Sequence, residues 1–378
     1  MTRPTPQRGA STIAVTLLLS FVALLSVVFA NRSVLLDAKT SVNQYRAAQA
    51  REAAEAGLAW ALAQMNNSTP IGDDCRPSGN ASDSPFRERS VAAMRASCTA
   101  RGGEWSCSCG ASSQPSDDAS QTFSIQFAET GTAGVMQLNA RGAAGGSLSQ
   151  LQVHLGRLPG LDSLPAAALT VRGPATFGTG TFGVHHTDPA SGGLTLHSGA
   201  PLASWPSYLR STPGTPASAS VLADDAALAA LAPQGLFTSL FRMDKSHWRT
   251  QPMVHELDCS NACDGALAEA ATRHQLLWLR GGLRLDTPVS LGTSQRPVLL
   301  VVDGPIELNG SAVIHGLVYA THASWVDTAG AAIHGAVVLE DALQASGNTQ
   351  IHHHLAVLQA LHQHTGSYAR LANSWRDF

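Results

Sequence analysis

The chain has 378 residues, which is enough for one large domain or for two smaller ones with a full hydrophobic core. Only 13% of the residues are charged and the net charge is -3, while Gly (34) and Pro (19) are frequent. Because phosphate binding needs clustered Lys and Arg, and no such stripe is present, nucleic acid is not an expected partner. Low charge with many small residues is typical of an exported, strand-rich protein.

The first feature along the chain is a run without a charged residue from Ala10 to Ala30. About 20 apolar residues, each rising ~1.5 Å, cross the ~30 Å hydrocarbon layer of a membrane as a helix. Arg3 and Arg8 precede the run, so we expect a single pass through the inner membrane with the bulk of the chain in the periplasm. The candidate residues for membrane and stem packing are Ile13, Leu17, Leu18, Phe21, Leu24, Leu25 and Val28.

The helical pattern continues beyond the apolar run. Apolar residues recur at three- and four-residue steps at Leu35, Ala38, Val42 and Tyr45, and again at Leu58, Leu62 and Met65. No proline interrupts the segment between Ala10 and Thr69. The sequence therefore predicts one transmembrane and stem helix over residues 10–66, roughly 80 Å long.

Two motifs in this region resemble a known family. The segment Gln7-Arg8-Gly9 before Ala10 is similar to a prepilin leader (residues 1–9), which makes Gly9 and Ala10 the candidate processing site. The segment from Arg51 to Met65 resembles the Ala-Ala-Glu-Ala segment of PilX-type minor pilins. Ala14 departs from the pattern of major pilins, which carry a Glu there, and this favours a minor or priming subunit.

The resemblance implies a structural subunit that helps to prime, assemble or cap a type IV pilus or a related filament, and it implies no enzymatic activity and no cofactor. The implied partners are other minor and major pilins, prepilin peptidase and the inner membrane, with a tip adhesin as a further candidate. After assembly the protein would lie at the pilus or cell surface. The alternative is a plain signal anchor that holds a periplasmic or surface adhesive binding module.

Six cysteines form an even set in two local groups: Cys75, Cys98, Cys107, Cys109, Cys259 and Cys263. The Cys107–Cys109 spacing is too tight for a usual zinc knuckle, and the Cys259–Cys263 spacing has no matching second pair. Disulfides are therefore the preferred interpretation, with free buried thiols as the alternative. A short loop closed by Cys259 and Cys263 is the simplest proposal, and the pairing of the other four remains open.

Residues 67–158 are predicted to form a Cys-rich connector followed by a small pilin-like sheet. The connector, up to Gln121, reads as polar loop held by cross-links rather than by a core. Alternating patterns at 123–127, 135–139 and 148–155 predict three antiparallel strands packed on the end of the stem helix.

Residues 159–378 contain short strands separated by Gly-rich corners, with helical insertions at 224–231, 236–241 and a third that Asp264 would cap. Ile-His steps recur at Ile314, Ile333 and Ile351, with spacings of 19 and 18 residues. Such a period predicts one rung of a β-solenoid, with the isoleucines stacked inward and His315, His334 and His352 in an outward ladder. The predicted fold class is α+β: a long N-terminal stem helix followed by a β-rich domain whose C-terminal part is a β-solenoid-like parallel β-helix.

The 15 histidines include a local group at His352, His353, His354, His362 and His364. Since adjacent residues of a strand face opposite sides, at most His352 and His354 of that run could share a metal ion, and exposed histidines without a native metal are the preferred interpretation. A glycan-cleaving β-helix is the serious enzymatic alternative, because such enzymes carry carboxylates along a groove. The carboxylates in the relevant region are Asp286, Asp303, Glu307, Asp327, Glu340 and Asp341.

Overall fold

The computed structural model describes residues 10–80, 82–110, 121–327 and 329–378. The proposed leader, including Gly9, lies outside the described residues. Helix α1 (Ala10–Met65) runs unbroken for 56 residues, which confirms the predicted stem helix. The other helices are short: α2 (Ala226–Ala230), α3 (Pro233–Phe241), α4 (Lys245–Arg249), α5 (Asp264–Arg273) and α6 (Leu355–His364).

The described strands belong to two sheets. Those of the N-terminal half are β1 (Arg95–Arg101), β2 (Glu104–Ser108), β3 (Gln121–Glu129), β4 (Val135–Ala144), β5 (Ser147–Pro159), β6 (Ala167–Val171), β7 (Ala175–Phe177), β8 (Gly183–His185) and β9 (Leu194–Ser198). The middle of the chain contributes β10 (Tyr208–Arg210), β11 (Val221–Leu222), β12 (Val254–Asp258), β13 (Leu276–Arg280), β14 (Leu283–Leu285), β15 (Val289–Leu291) and β16 (Val298–Leu308). The C-terminal strands are β17 (Ala312–Asp327), β18 (Ala332–Leu339), β19 (Leu343–Gly347), β20 (Gln350–His353), β21 (Gly366–Arg370) and β22 (Arg376–Asp377).

The first sheet is antiparallel, with the order β2-β1-β3-β4-β5-β21 and β22 also beside β5. It packs on the second half of α1, where Leu58, Met65, Phe123, Leu138 and Leu151 are buried in one core. Each such side chain contributes roughly 1.5–3 kcal/mol on full burial. The three strands predicted from alternation are confirmed as β3, β4 and β5.

The prediction of a loop-like connector without a core is wrong for part of that segment. Strands β1 and β2 join the sheet, and Ile71, Phe86 and Met94 are buried in the core that it shares with α1. The alternation pattern does not predict β1 because its buried residues are small: Ala96, Ser97, Cys98 and Ala100.

The second sheet has 15 strands, and its described pairings are all parallel. Ile314 pairs with Ile333, and Ile333 pairs with Ile351, so the predicted isoleucine register is confirmed. All three side chains are buried in one large apolar cluster.

Helices cover one side of the parallel sheet. Phe237 and Phe241 of α3 pack against Tyr319 of β17, with ring centroids 5.2 and 5.6 Å away. Trp248 of α4 packs against the same two phenylalanines, with ring centroids 6.3 and 5.6 Å away. The helical insertions predicted at 224–231 and 236–241 are confirmed as α2 and α3. Asp264 does not cap α5, because Cys263 is the N-cap residue and the Asp264 carboxylate instead accepts from the Thr287 hydroxyl at 2.6 Å.

The C-terminal segment corrects the predicted domain boundary. The sequence assigned residues 159–378 to the second domain, but β21 pairs antiparallel with β5, from Gly366 beside Pro159 to Arg370 beside Leu155. Asn66, at the end of the stem, donates to the Tyr368 carbonyl at 2.9 Å and accepts from the Tyr368 amide at 2.8 Å. The chain therefore returns to the first sheet after passing through the second.

All six cysteines form disulfides, which confirms the preferred interpretation. Cys98 of β1 and Cys107 of β2 face each other and form one disulfide. Cys75 and Cys109 form a second disulfide. Cys259 and Cys263 close the short loop that the sequence suggested, directly before α5.

Candidate anchoring and assembly site

The first half of α1 presents large apolar side chains on its surface. All seven side chains proposed for membrane and stem packing are exposed, from 53% for Leu25 to 66% for Leu17. A soluble helix would bury such a stripe against its own domain. This helix is long and apolar enough to cross a membrane, and none of its most apolar stretch is buried in the described residues.

The exposed surface is longer than a membrane requires. Every residue from 11 to 48 is exposed, a length of roughly 55 Å, whereas the hydrocarbon layer covers about 20 residues, or ~30 Å. Leu35 (63% exposed), Val42 (46%) and Tyr45 (66%) lie beyond the uncharged run. An apolar stripe of this kind in water indicates a partner that covers it.

Several hydroxyl groups in the exposed half donate to the backbone of the same helix. The hydroxyls of Thr16, Ser26 and Thr40 donate to the carbonyls of Thr12, Val22 and Leu36 at 2.8–3.0 Å, one turn earlier in the helix. Such local bonds leave no hydroxyl proton to be solvated, which suits a helix surrounded by lipid or by other helices. The first charged residues after the uncharged run are Arg32 and Asp37.

The second half of α1 is fixed to the sheet. A Cβ atom at Gly57 would lie 3.0 Å from the Phe123 ring, so the glycine permits the close approach. Arg51 forms ion pairs with Glu55 at 3.1 Å and with Asp377 at 3.3 Å. Together with the Asn66–Tyr368 pair, these contacts make the stem and the first sheet one unit, so a force on the stem is transmitted to the domain.

The predicted histidine ladder is present and is longer than expected. The rings of His315 and His334 stack with centroids 4.8 Å apart, and those of His334 and His352 with centroids 5.2 Å apart. His185 of β8 adds a fourth ring 4.5 Å from His352, and Arg210 of β10 is paired with His185. The Gly183-Val-His185 segment repeats the apolar-then-His step, which is the sequence signal that could have revealed it.

The C-terminal histidines do not converge. His352 belongs to the ladder, His353 is buried against the His186 ring at 3.8 Å, and His362 pairs with the Leu161 carbonyl at 2.9 Å. His354 and His364 are exposed. Among residues 10–80, 82–110, 121–327 and 329–378, no group of three or more His, Cys, Asp or Glu is placed to hold a metal ion.

Three of the six carboxylates considered for a glycan-cleaving groove form ion pairs within the domain. Asp286 pairs with Arg284 at 2.8 Å, and Glu307 lies 3.8 Å from the same guanidinium. Glu340 is buried, pairs with Lys245 at 2.6 Å and accepts from the Tyr319 hydroxyl at 2.6 Å. Asp303 and Asp341 are exposed, and the side chain of Asp327 is not among those that the structure describes.

The geometry defines a class of protein: an α+β chain with a long N-terminal apolar helix, suited to single-pass anchoring, followed by a strand-rich domain with disulfides. No protein-family model matches the chain, and no curated protein matches it.

Among solved structures, the chain is similar to the crystal structure of the competence-associated pilin ComZ from Thermus thermophilus. The two share 12% identity, the match covers 88% of this chain and 97% of that chain, and the TM-score is 0.25. A TM-score of this size does not establish a common fold.

Proposed function

We propose that this chain is a minor pilin-like structural subunit that helps to prime, assemble or cap a type IV pilus or a related filament. The observation that supports it best is the exposed apolar surface of α1, which continues past the length that a bilayer can cover, through Leu35, Val42 and Tyr45. A plain signal anchor needs no such extension. A stem that leaves the membrane and packs among similar stems does.

The proposed mechanism has two stages. In the bilayer, α1 satisfies all its backbone groups internally and its apolar side chains face lipid. In the filament, the same side chains pack against the stems of other minor and major pilins. Ala14 stands where major pilins carry a Glu, which supports a minor or priming subunit.

Prepilin peptidase is the proposed processing enzyme, with cleavage between Gly9 and Ala10. Such a cut would make Ala10 the first residue of the mature chain, and Ala10 lies within α1. The domain that follows α1 would then be displayed in the periplasm and, after assembly, at the pilus or cell surface.

Two substitutions in the exposed stem test the assembly stage. The double variant Leu35→Ser/Val42→Ser removes apolar surface beyond the uncharged run and leaves the span itself intact. We expect membrane extraction behaviour to stay unchanged, because the span is intact, while co-purification with other pilins from membranes falls at least about 10-fold. The matched control is Ser41→Ala/Asn43→Ala, which changes the same turns without removing large apolar side chains.

Unchanged co-purification of the double variant with other pilins would reject the filament role, and α1 would then serve only as a membrane anchor. A Gly9→Val variant tests processing separately, because an uncleaved chain migrates more slowly on a gel. Identical mobility of variant and parent would show that Gly9 is not the processing residue.

The parallel sheet is proposed to be a β-solenoid that serves as a non-catalytic display domain. The stacked isoleucines, the histidine ladder and the consistently parallel register support this interpretation. The rival function is an adhesive binding module on a simple anchor, with a tip adhesin or a surface as its target. Deletion of the gene separates the two: loss of pili supports the assembly role, and loss of attachment alone supports the adhesive one.

A further inference from the structure

An arginine-lined cavity lies where the two sheets meet. Its volume is about 450 Å³, and its lining includes Arg87, Arg157 and Arg296. Arg157 belongs to β5 of the antiparallel sheet, whereas Arg296 precedes β16 of the parallel sheet. Arg87 comes from the disulfide-linked segment before β1, so three separate parts of the chain bring cations to one place.

The positive charge in this cavity is not balanced. Glu88 is the one carboxylate in the lining, and it is already engaged by Arg296 at 2.9 Å. The half-buried side chain of Arg157 has no hydrogen-bond or ion-pair partner among the described residues. Three guanidinium groups therefore face one carboxylate.

Arg87 is also short of acceptors. Its Nη2 donates to the Gly366 carbonyl at 3.0 Å and its guanidinium lies 5.5 Å from the centre of the Tyr368 ring, but its Nη1 is buried without an acceptor. Burial lowers the pKa of Arg87, and the nearby Arg157 and Arg296 lower it further, while Tyr368 and Glu88 oppose them. Burial also lowers the pKa of Arg157. Since arginine keeps its charge in proteins, these cations stay unneutralised.

Clustered, partly desolvated cations without counter-charges cost stability unless something compensates them. Guanidinium groups present a planar fork of N–H donors that matches carboxylate and phosphate oxygens. Gln275, Gln363 and Tyr368 line the same cavity, and their polar groups are of the kind that can bond the neutral part of a ligand. The volume falls in the range of small-molecule sites.

We propose that this cavity binds a small oxyanion ligand, one that carries a phosphate or a carboxylate group. The ligand would be contacted by Arg157 of the first sheet and by Arg296 of the second domain. Binding would therefore stabilise the arrangement of the two sheets. The site is independent of the proposed filament role, since none of its residues belongs to the exposed half of α1.

Calorimetric titration of the full chain in nonionic detergent tests the site, together with thermal unfolding at constant ionic strength. The probes are inorganic phosphate, glucuronate as a carboxylate-bearing sugar, and glucose as the neutral comparison. We expect at least one anion to bind and to raise the Tm, and glucose to do neither. Preferential binding of phosphate indicates a ligand with a phosphate group, and preferential binding of glucuronate indicates a ligand with a carboxylate group.

The variant Arg157→Gln should weaken anion binding by about 10-fold or more, because a charge-assisted bond is lost. Without anion, its Tm should equal or exceed that of the parent, because an unpaired, half-buried cation has been removed. Arg157→Lys keeps the charge but loses the fork, and should bind with intermediate affinity. The control Arg376→Gln removes an exposed arginine outside the lining and should bind like the parent.

Either of two results with anion present would overturn the proposal. One is the absence of binding and of a Tm increase with both anions. The other is an equal effect of anion on the parent and on Arg157→Gln, which would assign the effect to general salt stabilisation. A lower Tm of Arg157→Gln in the absence of anion would also contradict it, since the arginine would then be a structural residue.

Discussion

Gly142 allows a close contact between the antiparallel sheet and the stem. A Cβ atom there would lie 2.0 Å from the Ala50 carbonyl oxygen and 2.5 Å from the Ala54 amide nitrogen. Both neighbours are backbone atoms of α1, which cannot rotate away as a side chain could. With Ala50 and Ala54 fully buried, small residues on both elements allow the helix to lie directly on the strand.

The substitution Gly142→Ala is expected to lower the free energy of unfolding by about 2 kcal/mol or more, because α1 must move away from β4. Chemical denaturation of the full chain in detergent, followed by near-UV circular dichroism, measures the change. Gly79→Ala is the matched control, since a Cβ atom at Gly79 meets nothing within 4 Å and should change stability little. Equal stability of the two variants would mean that the helix is not seated on β4 as described.

At the scale of elements, the parallel strands bring together histidines that are distant in sequence. Burial and the neighbouring rings of His185 and His334 lower the pKa of His352 to about 4, and Arg210 contributes in the same direction. Burial first, and then His354, lower the pKa of His315. On the second face of β20, burial and His186 lower the pKa of His353 to about 4, although Asp188 opposes them.

This arrangement predicts a pH-dependent stability. The folded pKa values lie below the unfolded value of ~6.5, so the unfolded chain binds more protons between about pH 6.5 and 4. The contribution of these histidines is therefore complete above pH 6.5 and is lost as the pH falls toward 4. Each extra proton changes stability by about 1.4 kcal/mol per pH unit.

Denaturation midpoints between pH 7.5 and 4.5 measure this loss. The variant His352→Gln removes one titrating ring from the centre of the ladder and should flatten the pH profile in that window. His364→Gln is the control, because that residue is exposed and outside the ladder. A profile of His352→Gln as steep as that of the parent would show that the ladder does not set the pH dependence.

At the scale of the whole molecule, the return of the C-terminal segment to the first sheet is the main long-range connection. Strand β21 covers the edge of β5 and places Tyr368 between Asn66 of the stem and the arginine-lined cavity. Ser367 also accepts from the Met253 amide at 3.2 Å, which links the strand to the second domain. One short strand thus contacts stem, sheet and parallel domain.

Removal of residues 366–378 should therefore loosen the junction of the two domains rather than only fray the terminus. We expect rapid proteolysis near β5, because its edge and its backbone groups become exposed. Limited proteolysis with mass spectrometry identifies the sites. A shorter truncation, lacking residues 375–378, keeps β21 and serves as the control. Equal protection of β5 from proteolysis in both truncations would show that β21 does not hold the two domains together.

Local patterns in the sequence were sufficient for several features. The stem helix follows from an apolar run, residues at three- and four-residue steps such as Leu58 and Leu62, and the absence of proline. The pairing of Ile314, Ile333 and Ile351 follows from a nearly constant spacing. The exposed residues proposed for membrane and stem packing, such as Leu17 and Leu25, were found because hydrophobicity over 20 residues is itself the signal.

Other features were decided only by the tertiary structure. His185 joins the ladder across more than 150 residues of chain, β21 returns to β5, and Arg87, Arg157 and Arg296 meet although no motif links them. Strand β1 was missed because its inward residues are small. The physical reason is common to these cases: helices and repeats are encoded by neighbours along the chain, whereas edge pairing and convergent charges depend on where distant segments pack.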